Sequence, residues 1–266
     1  MTGGSSGIGK YVALDLARRG ARVVIASHDA ERLARAGREL LDISPDSFAC
    51  AGDVSSQDDM DELAYVVHER LGGIDVLINN AGFATYRTFA DSEPAELTRL
   101  IDVNLAGVVR CTRAFIPGLI EQRSGTILNV ASVAGRLPLT PNGTYAAAKH
   151  GVFALSEILG AELARFGIRV FLVCPGRVQT AFFDHATFRA RAHRPETEYT
   201  IPIERVSTKI IRAIETGKRV TYVPWTFGLL TWAYSAVPFI AAPAFRRLNR
   251  SRIESYYSSG PRNGEQ

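Results

Sequence analysis

A glycine-rich turn at the start of the chain constrains the fold more than any other stretch. Thr2 to Gly9 (TGGSSGIG) leads into a helical pattern from Tyr11 to Arg19, and a buried-strand pattern follows from Ala21 to Ala26 (ARVVIA). Glycines in such a turn permit a tight bend, close approach of the backbone to a pyrophosphate and close helix packing, with the anion at the helix N-terminus. A glycine pattern alone is weak, but loop, helix and strand in this order are typical of a dinucleotide-binding fold.

The position of this turn raises a difficulty. In the predicted fold a central strand precedes the glycine loop, whereas only Met1 precedes Thr2 here. Loss of a central strand leaves its neighbours without ladder partners. A lost strand, a start codon placed late and an edge supplied by a partner are the alternatives, and we expect that the start of the sequence is truncated.

The remaining patterns alternate between helix and strand, which indicates an α/β fold. The 266 residues allow one large domain, and a composition with 46% apolar and 22% charged residues excludes a disordered chain. The predicted class is a doubly wound parallel sheet flanked by helices and apparently lacking its first strand. The predicted helices are Ala30–Leu41, Gln57–Leu71, Glu93–Leu119 (one or two helices), Thr144–Phe166 and Ile203–Glu215. The predicted strands are Phe48–Ala51, Ile74–Ile78, Thr126–Val130, Ile168–Val173 and Arg219–Val223.

Charge and cysteine content exclude several classes of function. The formal charge of +4 is spread over several segments and does not indicate a nucleic-acid partner. Cys50, Cys111 and Cys174 are far apart and lack metal-ligand spacing, so we expect buried reduced thiols and no metal site. With no secretory signal at the start, the sequence predicts a cytoplasmic protein.

Polar and small residues follow several predicted strands, at the edge of the sheet where ligands of open α/β folds bind. These are Ser27 and His28, Asp53 and Val54, Asn79 to Gly82 (NNAG), Ser132, and Pro175 with Gly176. The pattern Ala21–Ala26 corresponds to the second strand of the predicted fold. No acidic residue stands at its end to bind the ribose 2′-hydroxyl of NAD, since Asp29 is two positions late. His28 and Arg32 could approach a 2′-phosphate, so NADP is favoured over NAD; alternatively, they only cap and decorate the next helix.

Tyr145 and Lys149 are the candidate catalytic pair. Residues four apart share a helix face, and a nearby ammonium favours the ionised form of a phenol, which would bring proton exchange towards neutral pH. A helix with an ordinary tyrosine and a solvated lysine is the alternative. Asn104 lies within an apolar run, where a buried amide needs a specific partner.

Taken together, these stretches resemble the short-chain dehydrogenase/reductase family from Thr2 to about Val223. The matching elements, in family order, are Thr2-Gly3 with Gly7-Ile8-Gly9, Asp53-Val54, Asn79-Asn80-Ala81-Gly82, Asn104, Ser132, Tyr145 with Lys149, and Pro175-Gly176 with Thr180. Each match could be accidental, but the ordered set is highly specific, and it favours the catalytic interpretation of Tyr145 and Lys149. The resemblance implies an oxidoreductase that transfers a hydride between NADP, or NAD, and a ketone or secondary alcohol.

The resemblance also implies roles for individual residues. Tyr145 would be the general acid or base, Lys149 would lower the pKa of Tyr145 and hold the nicotinamide ribose, and Ser132 would hydrogen-bond the substrate oxygen. Asn104 would position a water in a proton relay. The expected cofactor-binding residues are Gly3, Ser5, Ser6, Gly7, Ile8, Gly9, Ser27, His28, Asp53, Val54, Asn80, Ala81, Gly82, Tyr145, Lys149, Pro175, Gly176, Val178 and Thr180. Family members are commonly dimers or tetramers, so a homo-oligomer is expected.

Substrate identity is expected to lie beyond Thr180. Phe182, Phe183 and Phe188 alternate with Arg189, Arg191, His193 and Arg194, which suggests an apolar lid with basic flanks; a solvated surface helix is the alternative. Residues 224–266 are predicted to form a C-terminal extension to a catalytic domain of residues 1–223. The tail from Ser255 to Gln266 is polar and expected to fray.

The extension begins with an apolar run that ends in a basic cluster. Val220 to Phe245 contains no charged residue, and Arg246, Arg247, Arg250 and Arg252 follow. The run reaches the ~20 residues that span a bilayer, although prolines interrupt it. Three interpretations stay open: peripheral membrane contact through residues 220–252, a spanning helix, or a substrate lid or dimer surface.

Two functions are therefore compared. The first is an NADP-preferring ketone reductase or alcohol dehydrogenase that acts on an apolar, lipid-like substrate. The second is a non-catalytic nucleotide-binding or scaffold protein that keeps the fold, a hypothesis suggested by the missing strand.

Overall fold

The computed structural model describes residues 1–180, 182, 186–189 and 200–258. Its helices are α1 (Gly7–Arg18), α2 (Ala30–Ile43), α3 (Gln57–Leu71), α4 (Pro94–Ile101), α5 (Gly107–Gln122), α6 (Gly143–Glu162), α7 (Ala186–Arg189), α8 (Ile203–Thr216), α9 (Thr226–Ala236) and α10 (Pro238–Ser258). Its strands are β1 (Val24–Ser27), β2 (Phe48–Ala51), β3 (Val76–Asn79), β4 (Gly125–Val130), β5 (Ile168–Pro175) and β6 (Val220–Val223). Of the expectations above, those for Phe183, Arg191, His193, Arg194 and the tail beyond Ser258 lie outside the described residues.

All strand pairs are parallel, and the strands form two groups that meet at the start of the chain. β1 pairs with β2, and the other group has the order β3-β4-β5-β6. Met1 and Thr2 lie between β1 and β3: the backbone N–H of Ala26 donates to Met1 O at 2.9 Å, and the N–H of Thr2 donates to Ile78 O at 3.0 Å. Two residues thus occupy the central position at which the predicted fold has a strand.

Both faces of this sheet are covered by helices, which explains the continuous apolar runs of the strands. Neighbouring residues of β4 point to opposite faces: Ile127 packs in the cluster with Met60 and Phe115, and Leu128 packs in the cluster with Val12. The first cluster joins the sheet to α3 and α5, and the second joins it to α1 and α8. The result is the doubly wound, Rossmann-like architecture predicted from the sequence.

The segment predicted as Glu93–Leu119 is divided into three parts. α4 and α5 are joined by a π-helical turn, Asp102–Ala106, with Asn104 at its centre. Such wide turns occur mostly as single turns within α-helices, often at functional sites. The turn brings the Asn104 side chain into the interior beneath the carboxyl end of β3.

The C-terminal extension forms a helical hairpin. α9 and α10 meet at an angle of 115° and together are apolar enough to be a broken membrane span. Among the described residues, the continuous helical stretch Pro94–Gln122 also has the length and hydropathy of a span, but it includes the core residues Leu100, Cys111 and Phe115. The predicted thiols are free, and Cys111 and Cys174 are buried whereas Cys50 is partly exposed.

Candidate active site

The predicted site residues gather at the carboxyl edge of the sheet, as the parallel strand order requires. Ser27 ends β1, Asn79 ends β3, and Pro175 ends β5. Ser132 lies two residues beyond the end of β4. Because these strands run in the same direction, the loops that follow them form one continuous surface.

The glycine turn is held against the end of β3 by side chains of both segments. Thr2 Oγ1 accepts hydrogen bonds from the backbone N–H of Asn80 at 3.1 Å and of Ala81 at 3.2 Å. The side-chain amide of Asn80 donates to Thr2 O at 3.2 Å and to Gly3 O at 3.1 Å. Thr2, whose role sequence reasoning missed, thus fixes the loop on the strand end.

Space in this turn is limited to glycine at three positions, since a Cβ on Gly4 would lie 2.6 Å from Ile25 Cβ. Gly3 has a φ of 63°, and a Cβ there would lie 2.8 Å from Ala81 Cα. A Cβ on Gly9 would meet Gly3 O and lie 2.5 Å from Asn80 Nδ2. The loop, the first turn of α1 and the end of β3 are therefore packed backbone to backbone.

The N-terminus of α1 is open to a ligand. Its N-cap, Ser6, is extended and makes no side-chain capping bond, and no acidic residue lies in the first turn. Gly7, with a φ of 53°, faces Thr180, whose Cβ would lie 3.5 Å from a Cβ on the glycine. Ile8 turns away into the core cluster with Val12. Free N–H groups and a positive helix end fit a pyrophosphate, so these residues suit a dinucleotide.

At the end of β1 the side chains are already paired with each other. Ser27 Oγ accepts from the Ser5 hydroxyl at 2.8 Å. Asp29 caps α2 by accepting from the N–H of Arg32 at 2.9 Å, and the two side chains form an ion pair at 3.1 Å. The Asp29 carboxylate is thus engaged locally, and its pKa is lowered chiefly by the hydrogen bond from Arg32 N–H. His28 and Arg32 are exposed beside it.

Asp53 and Val54, after β2, differ in how they face the site. Asp53 Oδ1 accepts from the N–H of Ser55 at 2.9 Å. Burial, the largest single cause, raises the pKa of this carboxyl, but the hydrogen bonds from Ser55 and the charges of His28 and Arg99 together lower it. Val54 is buried and lines a narrow void with Thr2, Ala81 and Gly107. Its side chain therefore packs beneath the loops, and Asp53 is the more exposed of the two.

Lys149 and Asn104 meet beside Gly82. Lys149 Nζ donates to Val130 O at 3.0 Å, and a Cβ on Gly82 would lie 3.5 Å from Nζ and 2.5 Å from Asn104 Oδ1. Asn104 Nδ2 donates to Phe83 O at 2.8 Å and to Leu100 O at 3.0 Å. Within the described part of the chain, Asn104 Oδ1 is buried without a partner, so it can accept a hydrogen bond from a water.

Tyr145 lies one turn before Lys149 on α6, next to Ser132. Gly135 permits this approach, because a Cβ there would lie 2.7 Å from Lys149 O, where α6 rests on the turn after Ser132. The Ser132 hydroxyl accepts from Ala134 N–H at 3.2 Å, and its interaction with the Tyr145 phenol lowers the pKa of that phenol. The Tyr145 ring lies 6.0 Å from the Phe182 ring and 5.8 Å from Lys149 Nζ.

Burial dominates the electrostatics of this pair. Burial raises the pKa of Tyr145 to about 12, and the hydrogen bond to Ser132 offsets only part of the rise. Burial also lowers the pKa of Lys149 to about 8. The pKa of Tyr145 therefore follows from burial, Ser132 and Cys174, and the lowering of this pKa by Lys149 stays a prediction.

The loop after β5 closes the other side of the site. The N–H of Gly176 donates to Val223 O at 2.9 Å, which continues the pairing of Pro175 with Val223. Val178 is buried and pairs with Ile201. Gly176 is covered by Phe227 of α9, since a Cβ on this glycine would lie 2.5 Å from Phe227 Cε2.

The extension also reaches the loops beside Tyr145, and its interpretation as a substrate lid stays a prediction. Asn249 Nδ2 of α10 donates to Pro138 O at 2.6 Å, and the Tyr257 hydroxyl lies 3.1 Å from Thr88 Oγ1. Tyr86 lies between the rings of Tyr256 and Phe188, at 5.9 Å and 5.6 Å. These contacts lie next to a cleft that Tyr145 lines together with Thr85, Arg87, Phe89, Ser92, Leu97, Leu100, Asn142, Gly143 and Thr144. No local pattern in the sequence links segments so far apart.

Comparison with known proteins agrees with this geometry. The family model described as short chain dehydrogenase matches residues 1–189. An uncharacterised oxidoreductase of Staphylococcus aureus is 31% identical over 221 residues, which are 83% of this chain and 91% of that protein. A short-chain dehydrogenase/reductase of Burkholderia phymatum, solved with NAD, has a TM-score of 0.82 at 26% identity and covers 90% of this chain and 93% of its own. A short-chain dehydrogenase of Sphingobium yanoikuyae, solved with NADPH, has a TM-score of 0.78 at 28% identity, covering 89% and 93%. The family model thus matches residues 1–189 of the 266 residues, which is more than half of the chain. This protein therefore belongs to the short-chain dehydrogenase family of oxidoreductases.

Proposed function

We propose that the protein reduces a ketone to a secondary alcohol, or catalyses the reverse oxidation, with NADP as the preferred cofactor and an apolar substrate. The observation that supports this most strongly is the meeting of Tyr145, Ser132, Lys149 and Asn104 beside the glycine turn. A nicotinamide cofactor held by that turn supplies or accepts the hydride. Every other step is assigned to side chains of this chain.

In the reductive direction, Tyr145 donates its phenolic proton to the carbonyl oxygen, and the Ser132 hydroxyl hydrogen-bonds the same oxygen. A phenol with its pKa raised to about 12 is protonated at neutral pH and so carries the proton that reduction requires. Lys149 holds its positive charge beneath the site, and a water on Asn104 Oδ1 returns a proton towards Tyr145.

Two further observations support the finer parts of the proposal. Asp29 is engaged by Arg32, and both His28 and Arg32 are exposed at the end of β1, where a 2′-phosphate would lie, so NADP is the proposed cofactor. Leu97, Leu100 and Phe89 line the cleft beside Tyr145, which suits a substrate with an apolar body.

The test is an absorbance assay of NADPH and NADH oxidation with ketones of increasing chain length. We expect turnover with NADPH that rises about threefold in kcat/KM for each added methylene until the cleft is filled. Tyr145→Phe should lower kcat by a factor on the order of 10²–10⁴, because it removes the proton donor and keeps the ring.

Tyr65→Phe is the matched control, since this exposed tyrosine of α3 loses the same atom. It should keep wild-type activity. Tight cofactor binding without turnover of any ketone, and with Tyr145→Phe indistinguishable from wild type, would favour the non-catalytic nucleotide-binding alternative instead.

A further inference from the structure

The α9–α10 hairpin exposes large apolar side chains that nothing in the described part of the chain covers. Trp225, Leu229 and Trp232 are 65%, 57% and 70% exposed, and Phe239 and Ile240 at the bend are 75% and 65% exposed. Every residue from Ser235 to Ile240 is exposed. Contiguous apolar exposure of this kind is typical of a surface that meets a partner or a membrane.

The most exposed large side chains at the start of α9 and along it form one stripe, and Leu230, which is 42% exposed, lies beside it. Trp225, Leu229 and Trp232 follow the spacing of a single helix face, and Ala236 continues it to the bend. The opposite face holds the hairpin on the domain, with Phe227 on Gly176 and Thr231 buried. The hairpin is thus anchored on one face and unpartnered on the other.

Basic residues of α10 follow the apolar bend at a defined distance along the helix axis. On α10, Phe239, Pro243, Arg246 and Arg250 share one face, and Arg247 lies next to it; all five are exposed. Arg246 is seven positions after Phe239, which corresponds to a rise of roughly 10 Å along the helix. Interfacial helices bury their apolar face about 5–10 Å below the headgroups, so guanidinium groups at this height would meet lipid phosphates.

The charge pattern distinguishes between two occupants of this surface. From Val220 to Ile253 the sequence contains no aspartate or glutamate, and the next residue, Glu254, forms an exposed ion pair with Arg250 at 3.1 Å. A second copy of the chain, related by a two-fold axis, would place the same patch against itself and bring arginines towards arginines. An anionic bilayer offers both an apolar layer for the bend and phosphates for the arginines.

We propose that the α9–α10 hairpin docks on the surface of an anionic lipid bilayer, with Trp225, Trp232, Phe239 and Ile240 in the interface and Arg246, Arg247 and Arg250 at the phosphates. α9, at 11 residues, is about 16 Å long and too short to cross a bilayer of ~30 Å, and its sharp bend against α10 suits a shallow hairpin. The proposal is independent of hydride transfer, since these side chains lie outside the catalytic set.

The test is sedimentation of the full chain with vesicles of phosphatidylcholine, with and without phosphatidylserine, combined with intrinsic fluorescence. Both tryptophans of the chain lie in the hairpin, so their emission reports on this surface. We expect co-sedimentation and a shift of emission to shorter wavelength with phosphatidylserine vesicles, which added salt weakens. Phe239→Ser with Ile240→Ser should reduce binding at least tenfold. Arg246→Gln with Arg247→Gln should reduce it roughly 25-fold at low salt, or about fivefold per arginine.

Tyr65→Ser and Arg38→Gln, at exposed residues of α3 and α2, are the matched controls and should bind as wild type. Three results would overturn the proposal. One is the absence of binding to either vesicle, and another is equal binding to both. The third is a lipid-free dimer in sedimentation velocity that Phe239→Ser with Ile240→Ser converts to monomers, which would assign the surface to a second copy.

Discussion

Burial is the main cause of the pKa shifts of Tyr145 and Lys149, and it has a larger effect than the proximity of the two side chains. The phenol is kept neutral and the ammonium is destabilised, which moves the pKa of Tyr145 to about 12 and that of Lys149 to about 8. Lys149 donates to Val130 O, so its charge is held by a carbonyl rather than by the tyrosine. In the protein without ligand, both groups are therefore adjusted towards their neutral forms.

The lowered pKa of Lys149 predicts a pH-dependent stability. Between about 8 and 10.5 the unfolded chain binds more protons at this lysine than the folded protein, so the stability of the wild type should rise with pH relative to Lys149→Met. The relative gain should be about 2 kcal/mol between about pH 7.5 and about pH 9.5, and no change is expected below that window. Urea unfolding of both proteins without cofactor measures it.

Lys218→Met, at an exposed lysine, controls for the loss of one charge. If wild type and Lys149→Met show parallel stability curves over this range, burial does not lower the pKa of Lys149 and the electrostatic description of the site is wrong.

At the scale of elements, the sequence predicted what local motifs encode and missed what tertiary contacts decide. The strands and helices around Tyr145, Ser132 and Asn80 were predicted from periodicity, because a buried parallel strand and an amphipathic helix each leave a local pattern. The covering of Gly176 by Phe227 depends on segments about fifty residues apart, and no periodicity reports it. The rise of the Tyr145 pKa was not predicted for the same reason, since burial is a property of the packed molecule.

A buried chain of polar side chains joins the elements beneath the site, and it too was not predicted. The Asn79 amide donates to Thr112 Oγ1 at 3.0 Å and to Asn129 Oδ1 at 2.8 Å, and the Asn129 amide donates to Ser156 Oγ at 2.8 Å. These bonds connect β3, β4, α5 and α6. They fix α6, which presents Tyr145, relative to β4, after which Ser132 lies.

Ser156→Ala tests this connection. The substitution leaves the Asn129 amide buried without its acceptor, so the free energy of unfolding should fall by about 1–3 kcal/mol. Ser235→Ala makes the same change at an exposed helical position and should stay within about 0.5 kcal/mol of wild type. Urea unfolding followed by circular dichroism measures both. Equal stability of the two variants would show that the polar chain contributes nothing to the packing of α6.

For the whole molecule, the glycine turn lies at the joint between the two groups of strands. Gly4 N–H donates to Ala26 O of β1 at 3.2 Å, and Thr2 N–H donates to Ile78 O of β3 at 3.0 Å. A ligand held by this turn contacts loops from both groups, so its binding free energy also opposes their separation. The stability of the whole fold should therefore depend on the cofactor.

NADPH should stabilise the protein against heat more than NADH does. At a concentration about 100-fold above its Kd, a ligand adds about 2.7 kcal/mol to the free energy of unfolding, which raises Tm by roughly 5–10 °C in a chain of this size.

Arg32→Ala should weaken NADPH binding by about 10- to 100-fold, because a charged hydrogen bond to the 2′-phosphate is lost. It should also improve NADH binding, since it frees the Asp29 carboxylate from its ion pair. Arg38→Ala, further along α2, should leave both shifts unchanged. Scanning calorimetry with each cofactor decides the matter: equal shifts for NADPH and NADH in the wild type would contradict the NADP preference, and no shift with either would contradict dinucleotide binding by the glycine turn.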